Sequence, residues 1–349
     1  MAFDDFFMKV KKENILHNYR YLKESKKKEI IAVVKANAYG HGIEQVVKLL
    51  QEEGCKYFAV ARIWEAKKIL RLKLKNIKVL VLETIEEMEL LKVFDELEIF
   101  INSISDLKKA LSKGISTSQM HLKIDFGFGR NGILESEIKK LEKIIQENDL
   151  KFKGIATHLF DCTHEDMLDI ENKFDKIISN LGRDRFEMIH SQNSAGVISI
   201  EGKGCTHIRC GTILFGLQEI GYYDPYIKRS IFLVGKISGI KEVKNLKYIG
   251  YEKKENLNIL DTDKVAKIRI GYGDGLSKRS ENIMSIINNK KYKIIHISMD
   301  SSFVVVDDSV KVGDEIEIFH DLEEAIDYLK VPHYEFLSCI NDRIERVLI

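Results

Sequence analysis

EIIAVVKANAYGHG, residues 29–42, is the stretch that decides the fold. Ile30 to Val34 form an unbroken apolar run, which reads as a strand buried on both faces. Such strands belong to parallel sheets covered by helices. The run then stops at Lys35, and Tyr39 comes next, with Gly40 and Gly42 flanking His41. A lysine at the edge of an apolar core, opening onto a glycine-rich turn, is not what packing alone would place there.

Seven similar runs come later in the chain: FAVARI (58–63), KVLVLET (78–84), LEIFIN (97–102), MHLKIDFG (120–127), FKGIATHLF (152–160), EMIHSQNS (187–194) and HIRCGTILFG (207–216). Helix-period segments lie between most of them, at 43–54, 63–74, 85–97, 105–114 and 134–149. Eight βα units over roughly 200 residues predict a closed (β/α)₈ barrel. The rival reading is a doubly wound open sheet. After residue 225 the character changes. Both prolines, Pro225 and Pro332, fall in this later part, and SIFLVGKISGIKEV (230–243), KVAKIRIGYGD (264–274) and SSFVVVDD (301–308) are β-branched or alternating, with turn residues between. The chain therefore reads as α/β, a barrel over 1–225 followed by an all-β domain over 226–349, with the first few residues free to pack against the β-domain.

The net charge of +1 leaves no electrostatic footprint for nucleic acid or a membrane surface. Five cysteines without a CxxC pair suit a reducing compartment and disfavour a disulfide framework or a metal ribbon. No stretch approaches the ~20 apolar residues of a membrane span. The expected location is the cytoplasm.

In a parallel barrel the functional groups sit at the C-terminal ends of strands. A lysine there is pressed against apolar walls, which disfavours its ammonium form and makes the amine a nucleophile toward an aldehyde. The other strand ends carry Lys123 and Asp125, then Arg130; His158; His190, Asn193 and Ser194; and Arg209 with Gly211. Ser194 and the Gly211–Thr212 turn offer hydroxyl and backbone N–H groups of the kind that hold phosphate.

AVVKANAYGHG (32–42) resembles the cofactor-lysine motif of the alanine racemase family. HLKIDFGFGRNG (121–132), THLF (157–160), HSQNSAG (190–196), RCGTILFGL (209–217), IGY (249–251), IRIGYGDG (268–275) and ISMD (297–300) resemble later motifs of that family in the same order. The resemblance implies pyridoxal 5'-phosphate as cofactor, a small amino acid as substrate, and a homodimer with active sites shared between subunits. Lys35 would carry the cofactor and serve as one of two bases, and Tyr251 would be the other, given to the partner's site. Tyr39, His158, Asn193, Ser194, Arg209, Gly211 and Thr212 would contact the cofactor. Arg130, Tyr272, Met299, Asp300 and Asn341 would line the substrate side. Lys123 matches a lysine that is carbamylated in many members.

The chain departs from the family near its end. A tyrosine before an Arg-x-Pro-Arg stretch is usual there; INDRIERV (340–347) places Asp342 in that register, Asn341 before it and Glu345 for the proline. An inward Asn341 would favour a substrate hydroxyl, so serine stands beside alanine. An inward acid would favour a basic amino acid. A decarboxylase on a similar architecture, or a non-catalytic cofactor carrier, would use the same kind of barrel.

Overall fold

A computed structural model describes residues 6–160, 163–218 and 221–349. The chain divides into two compact units. One is Asn14–Arg229, and the other joins Met1–Glu13 to Ser230–Ile349. Strand β1 (Phe7–Val10) accordingly belongs to the sheet of the second unit.

The first unit is a barrel. Its parallel strands are β2 (Glu29–Val33), β3 (Tyr57–Val60), β4 (Lys78–Val81), β5 (Leu97–Ile101), β6 (Met120–Asp125), β8 (Phe152–Ala156), β9 (Phe186–His190) and β10 (His207–Cys210), with a two-residue β7 (Ile133–Leu134) added beside β6. They run in chain order around the barrel, and β10 pairs back onto β2. Only the seam between β9 and β10 lacks a full ladder among the described residues. There the Thr206 N–H donates to Ile189 O at 2.9 Å and the Arg209 N–H to Gln192 O at 3.0 Å. The Ile189 N–H donates to Thr206 Oγ1 at 2.8 Å.

Side chains alternate along each strand, so every second residue faces inward. Ile31, Val33, Ala59, Leu80, Phe100, Ala156 and Met188 form one buried cluster in the barrel. Glu98, His121, Lys123, His190 and Arg209 share that parity with Phe100 and Met188 and are buried too. The unbroken apolar runs are therefore interrupted on their inner face by a polar column, which packing alone does not require.

The expected helix over 85–97 does not form. Only a short 3₁₀ segment, Met88–Lys92, covers that crossover. The physical reason lies in Gln119. Its amide donates to the carbonyls of Leu91, Phe94 and Leu97 at 2.9, 3.2 and 2.9 Å. The loop's acceptors are thus satisfied without a helical ladder, while Met88 and Leu91 still bury their side chains.

In the second unit β14 (Lys264–Ile268), β17 (Ser302–Val306), β16 (Lys290–Ile297), β15 (Met284–Ile287), β18 (Glu315–Ile318) and β11 (Ile231–Glu242) pair in that order. β11 also pairs with β14, which closes the six into a ring. β1 lies antiparallel to β11, and β19 (Glu345–Leu348) lies parallel to β1. A small hairpin of β12 (Tyr248–Ile249) and β13 (Glu252–Lys253) stands apart from this sheet. The unit is not purely β: helices Leu322–Leu329 and His333–Cys339 interrupt it before β19. No helix among the described residues is long and apolar enough to cross a membrane.

Candidate active site

β2 ends at Val33, two residues before Lys35. Beyond Lys35 the backbone departs from an ordinary strand-to-helix turn. Ala36, Asn37, Ala38 and Tyr39 all take left-handed angles, with φ between 51° and 55°. A left-handed turn costs L-residues about 1–2 kcal/mol each, so roughly 4–8 kcal/mol is held beside Lys35. Two side chains offset it. The Asn37 Oδ1 accepts the Ile43 N–H at 2.8 Å and so starts the next helix, Ile43–Glu52. Glu65, buried at the start of the helix Ile63–Leu70, accepts the Ala36 N–H at 2.7 Å through one oxygen. Its other oxygen accepts the N–H groups of Ala61 and Arg62 at 2.9 and 3.0 Å.

Glu65→Ala would leave these three N–H groups without their acceptor. Unsatisfied donors of this kind lead to an expected loss of about 2–5 kcal/mol in urea denaturation. Glu65→Gln, which keeps a carbonyl acceptor, is expected to lose less. Equal losses from the two variants would contradict the bracing role of Glu65.

Lys35 opens into a pocket at the barrel mouth, lined also by Tyr39, Lys123, Arg130, His158, Asn193, Ser194, Arg209 and Gly211. These expected residues come together although they belong to, or follow, strands spread around the barrel: β2, β6, β8, β9 and β10. Burial, and then the charge of Arg130, lower the Lys35 pKa, while Glu65 and Glu83 oppose the shift. Lys123 is buried and donates to Ile124 O at 3.1 Å. Burial and the nearby Arg209 lower its pKa to about 7. His158 falls to about 2, chiefly by burial and then by the charge of Arg209, so it is neutral.

The loop that carries Arg130 is tied to the barrel by Asp125. That carboxylate accepts the N–H groups of Gly127, Phe128 and Gly129 at 3.0, 2.8 and 2.9 Å. Arg130 then lies over the Phe128 ring, 4.5 Å from its centroid. Ser194 Oγ accepts the N–H groups of Gly211 and Ile213 at 3.2 and 3.4 Å. A Cβ on Gly211 would lie 2.6 Å from the Tyr39 hydroxyl, so glycine alone keeps that corner open. Thr212 does not line this pocket. It lines a smaller cleft behind Ser194.

Arg209 is buried, and each contact it makes is to a neutral group. Its Nη2 donates to Thr157 O at 2.7 Å and Ser191 O at 2.9 Å. Its Nη1 donates to His190 Nδ1 at 3.0 Å and to the His190 carbonyl. No carboxylate among the described residues pairs with it, and its Nε–H has no partner there. Burial brings its pKa down to about 10, which leaves it charged at neutral pH.

Two family models match end to end: "Alanine racemase, N-terminal domain" over residues 10–219 and "Alanine racemase, C-terminal domain" over 231–348. The alanine racemase of Fusobacterium nucleatum is 32% identical, over 98% of this chain and 99% of that protein. This chain belongs to the alanine racemase family. Among solved structures, alanine racemase from Bacillus anthracis with bound L-Ala-P is 25% identical with a TM-score of 0.87, covering 99% of this chain and 95% of that one. Alanine racemase from Bartonella henselae with covalently bound pyridoxal phosphate is 23% identical with a TM-score of 0.83, covering 99% of both chains.

The remaining expected residues lie in the second unit of this alanine racemase family member. Tyr251 sits at the tip of the β12–β13 hairpin and is 85% exposed. Its N–H points to His296 Nε2 at 3.4 Å, and His296 Nδ1 lies 3.4 Å from Glu281. Tyr272 and Met299 are joined through their backbones, since Tyr272 N donates to Ser298 O and Gly273 N to Met299 O at 3.0 and 2.9 Å. Arg343 clamps this turn by pairing with Asp300 at 2.7 Å and Asp274 at 3.2 Å. Asn341 spends its side chain within its own surroundings: Nδ2 donates to Gly273 O at 2.7 Å and Oδ1 accepts the Arg343 N–H at 3.0 Å. Asp342 is exposed and lies 3.7 Å from Arg346.

Three site features do not stand out in the sequence. Glu65 reads there as an ordinary helical acid. Glu83, whose carboxylate accepts from Asn131 at 2.8 Å, lines the pocket at the end of KVLVLET. The third is the lower part of the inward polar column, Glu98 with His121, and Glu98, breaking the otherwise apolar run LEIFIN, is its visible signal.

Proposed function

We propose that the protein is a pyridoxal-phosphate-dependent alanine racemase, working as a homodimer with shared sites. The observation that carries this reading is the pairing, in one pocket, of a half-buried lysine of lowered pKa with a buried arginine that has no anionic partner among the described residues. The pocket fits the cofactor. Lys35 is suited to hold its aldehyde carbon. Tyr39, Ser194 and the Gly211 corner are suited to its phosphate, with Thr212 behind them. Arg209 has one N–H left for the ring nitrogen, and a guanidinium does not give up its proton to that nitrogen. His158 and Asn193 line the same walls. When bound, the cofactor draws electrons away from the substrate's α-carbon.

The chain's own groups then do the proton work. Lys35 Nζ takes or returns the α-proton on one side, and its lowered pKa favours the free amine that this needs. Arg130 offers its guanidinium to the substrate carboxylate. The Tyr251 hydroxyl of a partner subunit acts on the opposite side. Its exposure at a braced hairpin tip supports such a role in a second copy's site. Tyr272, Met299 and Asp300, held by Arg343, would form the adjoining wall.

Asn341 would serve the substrate side only by giving up its bonds to Gly273 and Arg343. Its present engagement supports alanine over serine. The test is α-proton exchange in D₂O followed by NMR, with pyridoxal phosphate and L-alanine, L-serine or L-lysine in parallel. Exchange with inversion, fastest for alanine, is expected. A bound cofactor with no exchange from any of the three would refute the reading and favour a decarboxylase or a carrier.

Lys123 is proposed to be carbamylated: Nζ adds to CO₂ and loses one proton, giving a carbamate that would face Arg130. A pKa near 7 leaves much of the amine neutral at physiological pH. A ¹³C carbamate signal is expected at pH 8 under ¹³CO₂ and should fade at pH 6, where the ammonium form dominates. No signal at pH 8, or one that Lys123→Ala leaves in place, would contradict it.

A further inference from the structure

Beneath the pocket, a line of buried polar side chains runs down the barrel from Arg209. His190 Nε2 lies 3.0 Å from His121 Nδ1, and His121 Nε2 lies 2.9 Å from Glu98 Oε2. Both imidazoles are fully buried, and Glu98 is 2% exposed. The direction of every hydrogen bond in the line is fixed by its ends. A guanidinium only donates, so His190 Nδ1 must accept from Arg209. A neutral His190 then carries its proton on Nε2 and donates it to His121 Nδ1. His121 must therefore accept at Nδ1, which leaves it neutral with its proton on Nε2, and that proton goes to a carboxylate, which only accepts. Reversing any one member would set two donors, or two acceptors, against each other in a buried site.

Gly154 makes room for the line. A Cβ at that position would collide with the His121 ring. At the far end, Glu98 Oε1 lies 4.0 Å from Lys153 Nζ, which also binds Glu187 at 2.6 Å. A buried acid in an apolar strand, a buried glycine opposite His121 and two imidazoles of forced polarity have no packing rationale singly. Together they connect a buried negative group to the buried Arg209, which lacks a carboxylate partner among the described residues.

We propose that Glu98 and His121 are positioning residues that act through His190 to hold the Arg209 guanidinium in one orientation, with its Nε–H left for the cofactor. Arg209's part in this rests on the function proposed above; the polarity of the line does not, and it is measurable without cofactor. Long-range ¹H–¹⁵N NMR of the cofactor-free protein is expected to show His121 and His190 each as a single Nε2–H tautomer. An Nδ1–H tautomer or a doubly protonated ring at either position would overturn the proposal.

In the holoenzyme, Glu98→Leu removes the terminal acceptor. We expect kcat to fall about tenfold with KM within about twofold, and transamination per turnover to rise by a similar factor. Glu98→Gln keeps a carbonyl acceptor and should stay within about threefold of wild type. A folded Glu98→Leu variant with wild-type partition between racemisation and transamination would also overturn it. Should that variant not fold, Gly154→Ala decides, since it displaces His121 while keeping the acid. It is expected to shift the partition the same way, and an unchanged partition would sink the idea. Wild-type protein that shows both tautomers and binds the cofactor but does not racemise would instead count against the racemase reading alone.

Discussion

Lys35→Ala is expected to lower racemisation by on the order of 10⁴-fold or more, because in the proposed mechanism it removes both the cofactor's attachment and a base at one stroke. The effect should reach beyond rate. Mixing wild-type protein with pyridoxal phosphate, reducing with borohydride and weighing the product should give one cofactor adduct on Lys35. The variant should give none there. Lys123 is the other lysine lining the pocket among the described residues, so it is the built-in control. An adduct that moves quantitatively to Lys123, or racemisation that survives the substitution, would show that the lowered pKa of Lys35 serves something else. Lys35→Arg should behave like the alanine variant, since a guanidinium holds its proton too firmly to attack an aldehyde.

Tyr251→Phe deletes one hydroxyl from an exposed hairpin tip and should leave the fold unchanged. Loss of a positioned acid or base costs typically about 10²–10⁴-fold, and roughly that much racemisation should disappear. The sharper expectation is asymmetry. With two bases, the enantiomer whose α-proton is met by Lys35 should still exchange it for deuterium, whereas its mirror image should not. Lysine adduct formation should be untouched. Equal exchange from both enantiomers at wild-type rates would remove Tyr251 from the mechanism.

How much of the fold and site is legible in the sequence depends on how far each residue acts from its neighbours in the chain. The barrel is legible because eight buried strands write eight apolar runs. Lys35, Lys123, Arg130, His158, Ser194 and Arg209 stand out because charged or hydroxyl groups at the ends of such runs break the pattern. Lys35 sits two residues past the strand, however, on a left-handed turn that no propensity would place on Ala36 to Ala38, since alanine is a right-handed helix former. That turn is held because Glu65, 29 residues downstream, accepts the Ala36 N–H. The missing helix over 85–97 has the same origin: Gln119 supplies the bonds from the next strand's approach. Periodicity carries no record of a remote side chain that takes over a backbone partner. Thr212 lines the adjoining cleft beside Ser194, a difference within one tight turn that sequence does not resolve.

β1 and β19 have a consequence for the order in which the chain is made. Phe7 pairs with Glu345 across the sheet, 338 residues apart in sequence (345 − 7). At a synthesis rate of about 5–20 residues per second, the earlier strand waits roughly 20–70 s for that neighbour. The eight strands of the barrel, by contrast, are all available once Cys210 has emerged. The barrel can therefore assemble during translation while Phe7–Val10 has no sheet partner until β11 emerges, and then keeps one open edge. That second edge stays open to chaperones, or to the wrong strand, until translation reaches Glu345–Leu348.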